Sequence, residues 1–454
     1  MSTLALFWPH SALAARADPL SIARLHAGAP VSAVMAEEGV AASLGGEEAS
    51  TQAWQAFFRM PGAVPTGLTA FDLTAALGAR GAESDEDLQS SAGLQAHVDA
   101  AFVASQPGTV LSHESLARLA LHSPGNIAYR ALSRLRTTDD ATTEKGLWNA
   151  AALLSNGLRS LFNRLETTLL LDQLDSTEEP YWLVVLRYCA DGNLQSSMDE
   201  YLFQLRSETG GAALTDGLLL QLAGRAHEAV TLRPSTYRAR DLANPTTSIP
   251  FTARFALRYG GKQQETESAR QPEIRNAFNS PFWPFVLAST SVGQEGIDFH
   301  WWSHEVLHWN LPSNPVDFEQ REGRVNRFAG HAVRKNIAAA HWCDVLASTE
   351  ANPWRLAFEA ASTGRSDLGE FAPYWIYPGD AKVERQIITY PLSRDIEKVE
   401  RLKDALTLYR LTLGQPRQQD MLEMMQRCGV NPAQVAKLDL SPPVRDRRKK
   451  NECS

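Results

Sequence analysis

The sequence has no long apolar run: none of its 454 residues falls in a stretch of about 20 consecutive apolar residues, the length that a membrane-spanning helix needs. Its first residues, "MSTLALFWPHSALAARA", lack a basic start, and Pro9 and His10 interrupt the apolar positions. This pattern predicts neither a membrane span nor a signal peptide. We therefore expect a cytoplasmic protein without a membrane partner.

The chain has only four cysteines, and none of them lies close to another in sequence: Cys189, Cys343, Cys428 and Cys453. Zinc sites and disulfide frameworks both need cysteines in recurring close spacings. Neither is predicted here, and a reducing compartment is expected.

The sequence also lacks an excess of positive charge, since its net charge of −8 excludes a generally basic nucleic-acid binder. The balance reverses locally. Residues 231–340 hold 13 Lys and Arg against 10 Asp and Glu, whereas the whole chain holds 44 against 52. Positive potential is therefore concentrated in this part of the chain.

Length and hydrophobic spacing predict two or three domains. Residues 1–229 carry apolar residues mostly at steps of three and four, which predicts a mainly helical domain, with Ser112 and Thr215 as helix N-caps. Residues 351–454 are again predicted to be helical, ending in the basic run "RDRRKK". That run is typical of a solvated terminus, with a nucleic-acid contact as the alternative.

Residues 230–350 show a different pattern, in which short strands alternate with helices. The predicted strands lie in "VTLRPSTYRARDL", "FTARFALRYG", "PFVLAS" and "EVLHWN". One helix is predicted in "ARQPEIRNAFNS", and another between Asn314 as N-cap and Arg327, with Pro315 as its first residue. This alternation predicts a parallel sheet covered by helices.

The stretch "FVLASTSVGQEGIDFH", residues 285–300, begins apolar and ends in small and polar residues, namely Thr290, Gly293, Glu295, Gly296 and Asp298. In open parallel sheets, ligands bind at the carboxyl ends of the strands. The glycines allow backbone amides to approach a phosphate or sugar, and the Asp298 carboxylate can accept from ribose hydroxyls. The alternative is a tight turn of an ordinary α/β protein.

A second stretch, "QREGRVNR", begins at Gln320. On a helix, Gln320, Arg324 and Arg327 would share one face, with Gly323 beside them. Two guanidinium groups on one face favour an anion between them, and a polyphosphate fits this need. Taken alone, the pattern is more typical of a solvated helix face.

Together the two stretches resemble a known family. "STSVGQEGID" looks like motif V and "QREGRVNR" like motif VI of superfamily 2 helicases and translocases of the DEAD/DEAH type, and "FALRYGG" and "ARQPEIRNAFNSPFWPFVLAS" resemble the segments that precede motif V. The resemblance covers roughly residues 250–335. It implies an α/β, RecA-like (P-loop NTPase-type) second motor lobe at 230–350, flanked by the helical regions.

The resemblance also implies roles for residues of the first stretch. Thr290 and Ser291 would contact the backbone of DNA or RNA. Gly296 and Asp298 would lie at the sugar side of the nucleotide and couple the two sites. The protein would then be the C-terminal portion of an ATP-dependent helicase or translocase.

For the second stretch, the resemblance implies contacts with ATP. Gln320 would bind the nucleotide and its water network, and Arg324 and Arg327 would be arginine fingers reaching the γ-phosphate. Such fingers contribute about 10³–10⁵ in rate in phosphoryl-transfer enzymes, because they neutralise charge that develops in the transition state.

The phosphate-cradling sequence GxxxxGK[ST] is absent; "RYGGKQQ", with Lys262, lacks its upstream glycine and its hydroxyl residue. Asp199 and Glu200 form a "DE" pair, but on an amphipathic helix rather than at a strand end, where a Mg²⁺ site is expected. We therefore expect no ATP hydrolysis by this chain alone. A separate or missing N-terminal lobe would hold ATP and Mg²⁺, as in a split gene, a truncated frame or a fragment.

Other candidate residues are weaker. His300, His304 and His308 lie four apart, but in a predicted loop and strand, which favours packing over metal binding. Trp283, Trp301, Trp302 and Trp309 favour core packing over base stacking.

Two alternative functions stay open. One is a non-catalytic module that binds nucleic acid or a partner subunit through a helicase-derived lobe. The other is a standalone nucleotide-binding regulator.

Overall fold

The computed structural model describes most of the chain: residues 1–26, 29–44, 51–66, 85–102, 110–174, 179–231, 235–240, 248–253, 265–288, 298–363, 369–389, 395–435 and 438. None of the helices in these residues is both long enough and apolar enough to cross a bilayer.

The N-terminal half is built from helices, as the spacing of its apolar residues predicts. They are α1 Ser2–Leu6, α2 Ser11–Arg16, α3 Pro19–Leu25, α4 Ala33–Leu44, α5 Trp54–Arg59, α6 Asp85–Phe102, α7 His113–His122, α8 Pro124–Ser133, α9 Glu144–Phe162, α10 Leu165–Leu174, α11 Tyr181–Asp191, α12 Leu194–Ser207 and α13 Asp216–Val230. Two short strands, β1 Thr51–Ala53 and β2 Val110–Ser112, pair antiparallel among them.

Side-chain caps fix the starts of several helices. Ser112 accepts from the amide of Ser115 at 3.1 Å and begins α7, and Thr215 accepts from the amide of Leu218 at 3.2 Å and begins α13. Both predicted caps are thereby confirmed. A cap pairs an amide that has no partner within the helix, so these positions can be read locally.

One hydrophobic core joins these helices and extends into the next part of the chain. Trp8 and Trp148 are fully buried at its centre, and their indole N–H groups donate to the carbonyls of Ala63 (2.7 Å) and Pro9 (2.8 Å). Phe282 and Trp301 belong to the same core. The region that carries the motif-like stretches is therefore packed directly on the N-terminal helices. The boundary at residues 229 and 230 stays a prediction.

The strands of residues 230–350 differ from the prediction. β3 Ser235–Arg240 and β4 Ser248–Ala253 lie in or next to the predicted strands, but they pair antiparallel. The predicted strand "PFVLAS" is wrong over residues 284–288, which are irregular. Phe285 and Val286 are 70% and 85% exposed, so this apolar run is not a buried strand.

A parallel pair does form, with a partner that the sequence did not predict. β5 Glu305–His308, a predicted strand, pairs in parallel with β6 Glu384–Ile387, which lies in the region expected to be helical. Among the described residues, this parallel sheet has two strands. The expected α/β lobe is thus seen only as a small parallel sheet in a mostly helical structure.

The remaining helices are α14 Glu265–Phe278, α15 Pro315–Gly323, α16 His331–Ala347, α17 Pro353–Ser362, α18 Asp395–Arg410 and α19 Gln418–Arg427, with short 3-10 turns at Gly369–Phe371 and Pro432–Gln434. α14 confirms the helix predicted in "ARQPEIRNAFNS". Leu311, which precedes α15, and Phe318, which lies in it, form a separate core with Val399, Leu402 and Leu406 of α18. The C-terminal region therefore packs on the helix that carries the second motif-like stretch.

The cysteines depart from the prediction at one position. Cys189 and Cys428 are free thiols, and burial raises the pKa of Cys189. Cys343 is disulfide-bonded.

The burial of His10 indicates that the stability of the fold decreases at acidic pH. His10 is fully buried, its Nδ1 accepts from the Leu13 amide, and its Nε2 has no hydrogen-bond partner among the described residues. Burial lowers its pKa to about 4. Between the unfolded-state pKa near 6.5 and the folded-state value, the unfolded chain binds a proton that the folded chain does not. Stability contributed by His10 is therefore present above about pH 6.5 and lost as pH falls towards 4.

We expect His10→Asn, which can still cap α2, to remove part of this pH dependence. The free energy of unfolding of the wild type should fall by roughly 1–3 kcal/mol more than that of the variant between pH 7.5 and pH 4.5. Urea denaturation at both pH values measures this difference. An equal pH dependence of the two proteins would contradict the prediction.

Candidate functional site

The first motif-like stretch falls largely outside the described residues. Thr290, Ser291, Gly293, Glu295 and Gly296 lie in residues 289–297, so their predicted roles stay predictions. Asp298 at its end is described, as are Gln320, Arg324 and Arg327. The structure therefore tests how the end of the first stretch meets the second.

Backbone and side-chain hydrogen bonds hold residues 298–301 beside the second stretch. Asn279 directly follows α14. Its side-chain amide donates to the Asp298 carbonyl (2.7 Å) and accepts from the Trp301 backbone N–H (3.3 Å). The Phe299 amide donates to the Arg324 carbonyl at 2.9 Å. Asp298 is therefore fixed by α14 on one side and by the end of α15 on the other. The sequence reasoning did not identify Asn279 as part of this site.

α15 begins as predicted and ends earlier. Asn314 accepts from the Val316 amide at 2.9 Å, and Pro315 is the first helical residue. The helix ends at Gly323, with Arg324 as its C-cap, so the expectation of one helix reaching Arg327 is wrong. Glycine is a poor helix former, and the chain must turn here to reach the Arg324 contact with Phe299. Arg327 is thus placed by a turn rather than by a helix face.

An ion pair joins the two stretches. The Arg327 Nε lies 2.8 Å from the Asp298 Oδ1, and the two side chains are 41% and 49% exposed. Gln320 is exposed and Arg324 is half-buried. The sequence predicted an anion near the arginines, and in this structure a carboxylate of the same chain partners Arg327.

A polar cavity of about 130 Å³ opens beside Asp298. Its walls include Asn279, Arg275 and His300, together with Tyr201 of α12 and Arg225 of α13. Burial lowers the pKa of His300 to about 4, which keeps this ring neutral near pH 7. The cavity therefore marks a polar junction between the N-terminal helices and the motif-like stretches.

The opposite side of α15 is tied to the C-terminal region through Glu322. The Arg385 guanidinium, at β6, donates to both Glu322 oxygens, one at 2.6 Å, and His308 Nε2 lies 3.3 Å from the same carboxylate. Burial acts to raise the pKa of Glu322, but the hydrogen bonds from His308 and Arg385 outweigh it and hold the pKa below its usual range. Arg410 of α18 pairs with Glu319 at 2.6 Å. These ion pairs fix the orientation of α15.

The histidines and tryptophans of "FHWWSHEVLHWN" have separate environments. His308 is buried against the Phe318 ring, with ring centroids 4.2 Å apart. His304 Nδ1 lies 3.0 Å from His331 Nδ1. The part of the chain that the structure describes holds no group of three or more His, Cys, Asp or Glu residues that could bind a metal ion. Trp301 is buried in the core, whereas Trp309 is 70% exposed, contrary to the expected packing.

The "DE" pair on α12 has arginine partners. Asp199 pairs with Arg134, which directly follows α8, whereas Glu200 pairs with Arg334 of α16 at 2.7 Å. The two carboxylates therefore contact different neighbours on two sides of the helix. This arrangement differs from a pair of carboxylates converging on one metal ion.

Comparison with known protein families gives a match to part of the chain. Residues 247–329 match the family model described as helicase conserved C-terminal domain. This region contains both motif-like stretches, and the match supports a RecA-like helicase C-terminal lobe with a helicase-type nucleic-acid-binding role. No curated protein and no solved structure matches the chain.

Asn279 provides a test of the site geometry. We expect Asn279→Ala to lower the free energy of unfolding by about 1–3 kcal/mol, because the Asp298 carbonyl loses the Asn279 donor and the Trp301 amide loses the Asn279 acceptor. Asn276→Ala is the matched control, because Asn276 lines the same cavity from α14 but bonds neither Asp298 nor Trp301. Chemical denaturation of both variants measures the difference. Equal losses in the two variants would contradict the role given to Asn279.

Proposed function

We propose that residues 230–350 act as the second lobe of an ATP-driven motor on DNA or RNA. The observation that carries the proposal is the contact between Asp298 and Arg327, which joins the ends of the two motif-like stretches within the region of the helicase match. A separate lobe would hold ATP and Mg²⁺. Arg324 and Arg327 would meet the γ-phosphate when the two lobes close.

The exposure of the ion pair supports this role. Exposed ion pairs contribute only about 0–1 kcal/mol, because water solvates both charges well when they separate. Arg327 and Asp298 are both nearly half exposed, so a phosphate can replace the carboxylate at small cost. A polyphosphate offers Arg327 a higher charge and paired acceptors.

The order of events follows from these charges. Before closure, Asp298 holds the Arg327 side chain close to the first stretch. On closure, the guanidinium transfers to the γ-phosphate, where it stabilises negative charge in the transition state. The released Asp298 carboxylate can then accept hydrogen bonds from the ribose. Thr290 and Ser291 would contact the nucleic-acid backbone, and lobe closure would thereby change their contact with the bound DNA or RNA strand.

The second motif-like stretch is suited to binding the phosphates of the nucleotide rather than the Mg²⁺ ion beside them. Gln320 is exposed, Arg324 half-buried and Arg327 partly exposed, which suits contact with an anion from outside. The carboxylates that a Mg²⁺ ion needs beside the phosphates would come from the other lobe, since Asp199 and Glu200 are paired with arginines.

Nucleic-acid-stimulated ATP hydrolysis tests the proposal. The assay compares the chain alone, the chain mixed with the product of the adjoining upstream coding sequence, and the same mixture with Arg324→Ala or Arg327→Ala. We expect activity only in the unmutated mixture, with a loss of about 10³-fold or more in kcat for each variant, because the transition state loses a cation.

Arg321→Ala is the matched control in this assay. Arg321 lies in the last turn of α15, shortly before the two tested arginines, and its guanidinium donates to the Asn310 carbonyl at 2.8 Å. We expect its kcat to change by only a few fold. Hydrolysis by the chain alone, or an equal loss for Arg321→Ala, would contradict the assignment of the arginine fingers.

A non-catalytic binding module is the second candidate. It is favoured by the absence of a GxxxxGK[ST] sequence and by the carboxylate that already partners Arg327. Nucleic-acid binding that falls steeply with salt, together with no hydrolysis in any mixture, would support this candidate over the motor.

A further inference from the structure

One buried guanidinium, that of Arg334, connects three separate parts of the chain. Arg334 lies in the first turn of α16 and is fully buried. It donates to the Ala329 carbonyl at 2.8 Å, to the Trp301 carbonyl, and through Nε to the Glu200 carboxylate at 2.7 Å. Its guanidinium carbon also lies 5.6 Å from the centre of the Trp302 ring.

The partners of Arg334 lie at the ends of the two motif-like stretches. Trp301 follows Asp298 by three residues, and Ala329 follows Arg327 by two. A backbone hydrogen bond from His331 to the His300 carbonyl, at 2.8 Å, runs alongside these contacts. Arg334 therefore bridges the two chain segments just beyond the Asp298–Arg327 pair.

The third partner makes this bridge depend on the N-terminal helices. A buried cation needs an anionic partner, because removing one member of a buried pair leaves an uncompensated charge. Two neutral carbonyls do not supply that charge, whereas Glu200 does. Burial lowers the pKa of Arg334, and the Glu200 carboxylate opposes this effect. Glu200 thus compensates the buried charge and holds the guanidinium in place.

The helix that carries Glu200 is itself held from its other side. The neighbouring Asp199 pairs with Arg134, which directly follows α8, and Arg134 also pairs with Asp18 at the start of α3. A shift of α12 against α16 would therefore separate Glu200 from Arg334 or strain the Asp199 pair. Residues 200 and 334 both lie outside the region of the helicase match.

We propose that Arg334 is a positioning residue that sets the spacing of the Asp298 and Arg327 segments, and that Glu200 makes this spacing depend on the position of the N-terminal helices. The structural part of this proposal needs no nucleotide. Its consequence for hydrolysis rests on the proposed function, because it concerns the reach of Arg327 towards a phosphate.

Hydrogen exchange of the full chain without nucleotide tests the structural part. Glu200→Gln keeps the shape and a hydrogen-bond acceptor but removes the charge, and Arg334→Lys keeps the charge but removes the planar guanidinium, whose donors reach three partners at once. We expect the amides of Phe299 and His331 to exchange roughly tenfold faster or more in both variants, because a charged hydrogen bond that holds the two segments is weakened. Amides within α9 should change by a much smaller factor.

Glu208→Gln is the matched control. Glu208 lies at the end of the same helix and pairs with Arg225 at 2.6 Å, but both side chains are well exposed. In this variant, the amides of Phe299 and His331 should exchange at the same rate as in the wild type. Unchanged exchange at these two amides in Glu200→Gln and Arg334→Lys would overturn the proposal, as would an equal acceleration in α9, which would indicate only a global loss of stability.

The hydrolysis assay then separates the two proposals. In an active mixture, we expect Glu200→Gln to lower kcat about tenfold or more while the KM for ATP changes less, because the Arg327 contact is made in the transition state. An unchanged kcat would overturn the coupling to Arg327. Faster local exchange with no hydrolysis in any mixture would support the positioning role of Arg334 and contradict the proposed motor function.

Discussion

The buried charge of Arg334 constrains the arrangement of the whole candidate site. A guanidinium without access to water must keep an anion and several acceptors in contact, and here these come from α12 and from the ends of both motif-like stretches. Each partner lies far from the others in sequence. The segments around Asp298 and Arg327 therefore cannot move apart without breaking hydrogen bonds of the Arg334 guanidinium. One partner of that guanidinium, Glu200, belongs to the N-terminal helices.

The exposed and buried ion pairs of the site have different capacities for change. Arg327 and Asp298 are solvated, so their pairing can be exchanged for a ligand at little cost. The Arg334 side chain is fully buried, where water cannot replace a lost partner, and Glu200 is mostly buried, so their pairing is costly to break. An exchangeable contact thus lies on a framework that is difficult to rearrange, and this division suits a site that takes up an external anion.

The C-terminal region completes the site from the other side. β6 adds the strand beside β5, and Arg385 and Arg410 hold the carboxylates of α15. The Ala329 amide donates to the Tyr374 carbonyl at 2.7 Å, which fixes the chain directly after Arg327. The turn that carries Arg327 therefore depends on residues of the C-terminal region, outside the region of the helicase match.

The amino-acid sequence by itself determined the helices and their caps, such as Ser112, Thr215 and Asn314, because a cap and an apolar stripe act within a few residues of chain. It also indicated the two motif-like stretches and their order. Only the tertiary structure decided that α15 ends at Gly323, that residues 284–288 form no strand, and that β5 pairs with β6. It alone brought Glu200 to Arg334 and Asp298 to Arg327. These outcomes depend on contacts between distant segments and on which charges lose water, and no local pattern encodes either.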